Sequence, residues 1–447
     1  MSLIKKIAVF SAILLLFPSI LAACNSDKSS GGSSKKTELT WLVTTSPVRD
    51  EWYKQVVKDF EKEHSNIRIE LVTIPQDEMD QRLSTMLAGE NAPDVWSPNW
   101  SRSGFGTYQK RNTLLDLSNY VESDAEFLNG IPDELMELYK VQGKTYGIPM
   151  LSMGTYLFYN KDIFDEAGVE YPTTDWEDVS WDWDEMVDKA KKLTKNIDIP
   201  NEAIYGLYNP ETPNRFSWFF GGDFFTKEAY ETGEMGDPQA LNNPKNKESI
   251  QANYDLIYKH KVSPNPSQVE AISQISDPFL SGRVAMAING GWGVMSYLPA
   301  EFNWGFAALP FAGEDRQVPM YVDPWTIGKD SKHPDEAWEF IKFITDPEGG
   351  GYQQMVDLNN PPVYEKLNDE YYETIEGYEN IIMTKEQIKE AIEGAMKYGR
   401  AADNHKISDF SNIRTIINQN IDAVYNNNKD IDKALEEVDQ GLRNLND

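Results

Sequence analysis

Tryptophans set among short polar residues and glycines are the side chains of this 447-residue chain best placed to meet a ligand. Asn99, Trp100 and Arg102 stand in a Ser/Gly-rich loop, 97–106, directly after a short apolar run. Trp292 follows Asn289-Gly290-Gly291, where missing side chains let a ligand approach the backbone. Asn214, Arg215 and Trp218 lie in an aromatic stretch, Asn209–Phe225, broken by a Gly-Gly pair. Thr45 and Ser46 are small polar residues at the end of the first apolar run. Flat rings beside amides, hydroxyls and carboxylates suit a molecule with C–H faces and a rim of hydroxyls, a saccharide. One stacked ring contributes about 1.5–3 kcal/mol on burial, and a net hydrogen bond about 0.5–1.5 kcal/mol. Two platforms and a handful of such bonds reach the roughly −8 kcal/mol of micromolar binding after association costs.

Composition narrows the alternatives. The chain carries 42 basic and 72 acidic residues, a net charge of −30, which argues against a nucleic-acid partner, since phosphate backbones demand a basic footprint. A single cysteine, Cys24, excludes an intrachain disulfide and a Cys-based zinc site. The histidines, at 64, 260, 333 and 405, have no metal-ligand spacing, so neither metal nor cofactor is expected. Aromatics make up 12% of the chain, with 12 Trp and 22 Tyr, more than core packing demands.

The N-terminus reads as an address. Lys5-Lys6, an apolar run from Ile7 to Ile20 interrupted by Pro18, and Leu21-Ala22-Ala23 form a secretory signal, too short to span a membrane comfortably. The Ser/Gly/Lys-rich segment Asn25–Thr37 cannot bury a core and is expected to be a flexible tether.

The elements that must position the tryptophans follow in order. Glu38–Thr44 is a strand, Trp52, Val56, Val57 and Phe60 share one helical face, and Ile67–Ile74 alternates as a second strand. A second amphipathic helix closes at Gly89, and Asp94-Val95-Trp96 is a third strand. This βαβαβ start implies a mostly parallel sheet whose ligands gather at the carboxyl ends of strands, at residues 44–46 and 97–102. Gly143–Asp162 holds two extended runs, Lys144–Pro149 and Thr155–Tyr159, around an irregular Met150–Gly154, and is expected to be where the chain first crosses between two lobes. Beyond it come a helix at Trp183–Leu193 capped by Asp182 or Asp184, and strands at Ile204–Leu207, Arg283–Ile288, Trp304–Leu309 and Val318–Ile327. A helix spans Pro334–Ile344, and Thr384–Gln387 is a capping box. Ile413, Ile416, Ile417, Ile421 and Val424 form a helical stripe, followed by a last helix with Ile431, Leu435, Val438 and Leu442. Trp181, Trp183 and Trp338 are expected to pack structurally, as are Tyr159 and Asn160.

YGIP at 146–149, LFYNKDIFDEAGV at 157–169, PFLSGRVAMAINGGW at 278–292 and SKHPDEAWEFIKFITDPEGG at 331–350 stand in a particular order and spacing. With the leader, they make the chain resemble the extracellular solute-binding proteins of ABC importers, the maltose-binding-like sugar class, over its whole length after the tether. LAAC resembles the lipobox of bacterial lipoproteins, which implies lipidation of Cys24 and anchoring to the outer face of the cell membrane. The resemblance implies an α/β fold of two lobes closing on a ligand, with crossovers near Met150–Thr155, Pro319–Pro324 and Asn360–Lys366. On that pattern residues 1–23 are the signal peptide and 24–37 the tether. The N-terminal lobe is 38–149 plus 320–365, and the C-terminal lobe is 150–319 plus 366–447. The same resemblance supports Trp292 and adds Asp323 and Trp325 beside the second crossover, Asp409 and Phe410 before the C-terminal stripe, and Met153 at the first crossover. Members often place a hydrogen-bonding carboxylate near Met153, so this chain departs there.

The expected function is capture of a mono- or oligosaccharide and its delivery to membrane permease subunits by a monomer, without catalysis. A secreted glycoside hydrolase is the competing class, since aromatics with carboxylates also describe sugar-cleaving sites. The same fold could instead take a polyamine or metal, which would require clustered carboxylates that these loops lack. A pure adhesin would need no enclosed cleft.

Overall fold

Alternation and helical periodicity in the first hundred residues are realised as a parallel sheet in the computed structural model, which describes residues 36–45, 49–89, 91–313, 316–357 and 360–446. The signal, Cys24 and the start of the tether lie outside the described residues, as does Ser46. Strand β1 (Thr37–Thr44) pairs in parallel with β2 (Ile67–Ile74), Trp41 opposite Leu71, and with β3 (Val95–Trp96) on its other side. Helix α1 (Asp50–Glu63) buries Trp52, Tyr53, Val56 and Phe60, and α2 (Met79–Ala88) buries Met79 and Leu83. A small hairpin, β4 (Lys140–Val141) and β5 (Lys144–Thr145), leads into β6 (Ile148–Met153).

The long strand β10 (Val318–Ile327) organises the middle of the molecule. At its end Thr326 faces Trp96 in antiparallel pairing with β3. Its centre pairs antiparallel with β6, and its start pairs in parallel with β11 (Gly399–Ala401). Pro324 stands opposite Pro149, and the register shifts between Asp323 and Pro324. Neither proline can donate to the ladder, so the irregularity falls where two donors are missing. The resulting sheet order is β11-β10-β3-β1-β2, with β6 attached to β10.

A second sheet forms from β7 (Thr155–Asn160), flanked antiparallel by β8 (Met286–Gly290) and β9 (Trp304–Ala307). The chain therefore leaves the first sheet at Met153 and enters the second at Thr155, with Gly154 alone between them. A Cβ on Gly154 would lie 2.5 Å from Ala395 Cβ, which explains the glycine. Thr155 Oγ1 donates to the Pro319 carbonyl at 2.8 Å, and Gly291 N donates to the Gly154 carbonyl at 2.8 Å. Ile204–Leu207, expected as a strand, instead makes single bridges, Ile204 to Lys195 and Tyr205 to Val284, because it lies along the sheet margin without a continuous ladder.

Helix boundaries follow their caps. Asp182, not Asp184, caps Trp183–Leu193 by accepting from Glu185 N at 2.9 Å. Thr384 and Gln387 form the reciprocal capping box that opens Lys385–Lys397. Trp181 and Trp338 are 3% and 2% exposed, their indoles donating to the Ala308 carbonyl and to Asp124. One large core spans both sheets. A second core joins Phe224, Phe225 and Ile250 to Ile413, Ile417, Ile421, Val424, Leu435, Val438 and Leu442, while Ile416 is only partly buried against it. No helix among the described residues is long and apolar enough to cross a membrane.

Because Gly154 has no room for a side chain, Gly154→Val should destabilise the protein by about 1–3 kcal/mol. Urea unfolding checks this, and an unchanged midpoint would show that the packing at Ala395 yields freely.

Candidate functional site

Both sheets contribute to a cavity of about 460 Å³. From the first come Thr44, Arg49, Gln76 and the 99–102 loop. From the side of the second come residues 210–212, Arg215, Ile288, Asn289 and Trp292, while Met153 of β6 and Tyr321 and Asp323 of β10 close it. Asn404, His405, Phe410 and Arg414 complete the wall.

Trp100 is held by an aromatic stack rooted in the core. Its ring meets Trp325 at 5.1 Å and 79°, and Trp325 in turn meets Trp41 at 5.6 Å. Its indole N–H donates to Asp323 Oδ2 at 3.0 Å. Asp80 ties down the same loop, accepting from Ser101 Oγ at 2.6 Å, Arg102 N at 3.0 Å and Ser103 Oγ at 2.8 Å. Asn99 lines the cavity, but its amide is engaged within the protein. It donates to Tyr139 Oη and the Val322 carbonyl, and accepts from Phe105 N. Burial pushes the Asp323 carboxyl up to about 6, although the Trp100 N–H and the Arg49 charge work the other way.

Opposite, Trp292 packs edge-on against Tyr321 at 4.8 Å. The glycines before it serve this packing directly. A Cβ on Gly290 would sit 2.1 Å from the Trp292 ring, and one on Gly291 would sit 2.8 Å from Met153 Cβ.

Beneath Tyr321 lies a charged network. Arg215 is 8% exposed and pairs with the wholly buried Asp403 at 2.7 Å. Its guanidinium also donates to Asn404 Oδ1 at 3.1 Å and approaches the Tyr321 hydroxyl at 3.3 Å. Tyr321 donates to Glu211 Oε2 at 2.9 Å. Burial opposes the charge on Arg215, but Asp403, Tyr321 and Glu211 outweigh it and hold the guanidinium protonated. The neighbouring His405 is pushed down to about 3 by burial and by the Arg215 and Lys406 charges, so it is neutral at physiological pH.

Of the residues singled out from sequence, Asn99, Trp100, Arg102, Met153, Arg215, Trp292, Asp323 and Phe410 line this cavity. Five others do not. Trp325 is 1% exposed because Trp100 packs over it, so it backs the platform from within the core. Trp218 is equally buried, with the Arg400 guanidinium 4.2 Å above its ring. Asn214 points into the buried network and donates to Asp403. Thr45 is exposed and donates to Asp50 at 2.8 Å, leaving its neighbour Thr44 to face the cavity. Asp409, in left-handed backbone at φ 59°, binds Asn412 and borders a different cavity with Lys110 and Glu234. Tyr321, Glu211, Asn404, His405, Arg49 and Arg414 were not anticipated. Only Tyr321 carried a sequence signal, standing two residues before Asp323 on one strand. Among the described residues no group of three or more His, Cys, Asp or Glu side chains could hold a metal ion.

The family model for bacterial extracellular solute-binding proteins matches residues 44–351, and the chain belongs to that family. An arabinooligosaccharide-binding protein of Bacillus subtilis (strain 168) is 26% identical over 372 residues, covering 80% of this chain and 81% of that one. The maltodextrin-binding protein of the same organism is 26% identical over 379 residues, covering 81% of each. Among solved structures, an ABC substrate-binding protein from Listeria monocytogenes in complex with cycloalternan superposes with a TM-score of 0.77. It is 24% identical and covers 92% of this chain and 99% of its own. Maltose-bound T. maritima MalE3 superposes at 0.70, is 18% identical, and covers 92% of this chain and 100% of its own. The fold is thus the two-lobed α/β architecture of maltose-binding-type proteins.

Asp323 gives the ligand-free protein a pH signature. Its folded value of about 6 exceeds the ordinary 3.8, so the native state keeps a proton that the unfolded chain has lost between those values. Stability is therefore lost as pH rises through about 6. Asp323→Asn should raise the melting temperature at pH 7.5 by about 1–4 °C and flatten its dependence between pH 4 and 7, readable by scanning calorimetry. A lower melting temperature at pH 7.5 would show that the carboxylate stabilises the fold.

Proposed function

We propose that this protein captures an extracytoplasmic oligosaccharide and delivers it to the permease of an ABC importer. The observation that carries the reading is the pair of ring systems on opposite walls of one cavity, Trp100 from the first sheet and Trp292 from the second. Each is braced by a further aromatic, Trp325 or Tyr321. Asp323 has given one oxygen to Trp100, and among the described residues its other oxygen has no hydrogen-bond partner, leaving it for a sugar hydroxyl. The relatives' names support a saccharide ligand, and the family supports binding without catalysis.

In this reading the lobes are 38–149 plus 320–365 and 150–319 plus 366–447, and β6, β10 and the segment near Asn360–Lys366 are the hinge. The adjacent packing supports it. Pro334–Thr345 and Gly350–Asp357 lie against α1, whereas Lys385–Lys397 lies against β7 and β9. Closure brings Trp100 and Trp292 onto opposite faces of the bound sugar and strips water from the site. Cys24, lipidated after removal of residues 1–23, tethers the monomeric binding domain to the outer face of the membrane.

Titration calorimetry with neutral and acidic oligosaccharides tests the binding function. Trp100→Ala and Trp292→Ala should each weaken binding by about 10–150-fold. Small-angle scattering should show the radius of gyration falling when ligand is added. The absence of any saccharide response in both measurements, or release of reducing ends on incubation, would sink the proposal. Cys24→Ala should move the protein from the membrane fraction to the medium, and continued membrane association would rule out the lipid anchor.

A further inference from the structure

Arginine is over-supplied in the cleft. Arg49, Arg102, Arg215 and Arg414 line the cavity, facing only two carboxylates, Glu211 and Asp323. This local excess of positive charge sits in a chain with 72 acidic and 42 basic residues. Arg215 is neutralised by Asp403 from behind the wall. Arginine ion pairs among the described residues are those of Arg68, Arg82, Arg111, Arg215, Arg400 and Arg443, so Arg49, Arg102 and Arg414 form none. Arg49 lies near enough to Asp323 to favour its ionised form. Arg102 is exposed, and at Arg414 the pull of Glu211 and Tyr321 is outweighed by burial and by the neighbouring arginines.

Arg414 projects from the helix Phe410–Tyr425, whose apolar stripe is packed in the second core. Burial and the Arg215 and Arg102 charges push its guanidinium below its ordinary value, although Glu211 and Tyr321 work the other way. Glu211 is the neighbouring carboxylate, but its oxygens already accept from Thr212 N at 2.8 Å and Tyr321 Oη at 2.9 Å. A partly buried cation whose shared counter-charge is outweighed is costly, and a planar guanidinium fork matches a carboxylate in two parallel hydrogen bonds. Arg414 also borders a second cavity of about 300 Å³, which shares Pro210, Glu211 and Thr212 with the first. Arg414 is thus common to both linings, and since the second cavity also carries Glu270 and Asp422, the first is the one suited to an acidic group.

We propose that the ligand is an acidic oligosaccharide, in which a uronic-acid carboxylate is taken by Arg414 together with Arg102. This rests on the saccharide-binding function proposed above and names its substrate class. Neutral hydroxyls also accept from arginine, but they would leave two like charges facing each other across the cleft.

The test is titration calorimetry on the mature protein. Oligomers of galacturonate, glucuronate and mannuronate are each compared with a counterpart whose carboxyls have been reduced to neutral hydroxymethyl groups. At least one acidic oligomer should bind about tenfold or more tightly than its reduced counterpart, with the advantage shrinking as salt rises. Arg414→Gln and Arg102→Gln should each reduce that acidic-to-neutral ratio, and Arg414→Lys should retain part of it. Reduced oligomers binding as well as acidic ones overturns the inference while leaving saccharide binding intact. The same holds for a ratio unmoved in both glutamine variants that melt like the parent. Failure of every oligomer, acidic and neutral, overturns the saccharide reading and this inference with it.

Discussion

The antiparallel pairing of β6 with β10 is the constraint on which the rest of this structure depends. It sets Tyr321 opposite Met153 and Asp323 opposite Leu151, which places both polar side chains beside the point where the chain changes sheets. Pro149 and Pro324 face each other towards the other end of the same ladder, where two donors are missing. In the proposed closure this strand pair is part of the line about which the lobes turn.

Around that line the walls of the cavity are preorganised by groups that never reach it. Trp41 and Trp325 fix Trp100 from the core side, and Asp80 gathers the backbone of its loop. Asp403 holds Arg215 from below, and Arg215 approaches the ring and hydroxyl of Tyr321. In the proposed function, side chains fixed in advance lower the ordering cost of binding. The partly buried Asp323 carries the opposite tendency. A carboxylate shielded from water with a single hydrogen bond costs stability.

Much of the scaffold was legible in the order of residues. Ile67–Ile74 alternates strictly enough to be read as a strand, and the Thr384–Gln387 box marks a helix start through two local hydrogen bonds. The loop tryptophans Trp100 and Trp292 could be picked out because each follows a strand and stands among short polar residues and glycines. Trp325 and Trp218 show where such reading stops. Both stand in plausible places, yet whether an indole faces solvent depends on what other elements lay over it. Arg414 was hidden for the converse reason, since a basic residue within an apolar helical stripe reads as a solvated position.

Sequence by itself determined the strands of the βαβαβ start, the glycine-flanked aromatic loops and the family, because each is a local pattern or an ordered set of such patterns, whereas Met150–Gly154, irregular by its residues, is mostly strand in β6. Tertiary structure alone decided which rings line the cavity, why Gly290 must be glycine, and which arginines keep a counter-charge. Arg215 meets Asp403 across 188 residues of chain, and Asn99 is spent on a carbonyl 223 residues away. Such pairings arise from packing between distant elements, so no local run of residues specifies them.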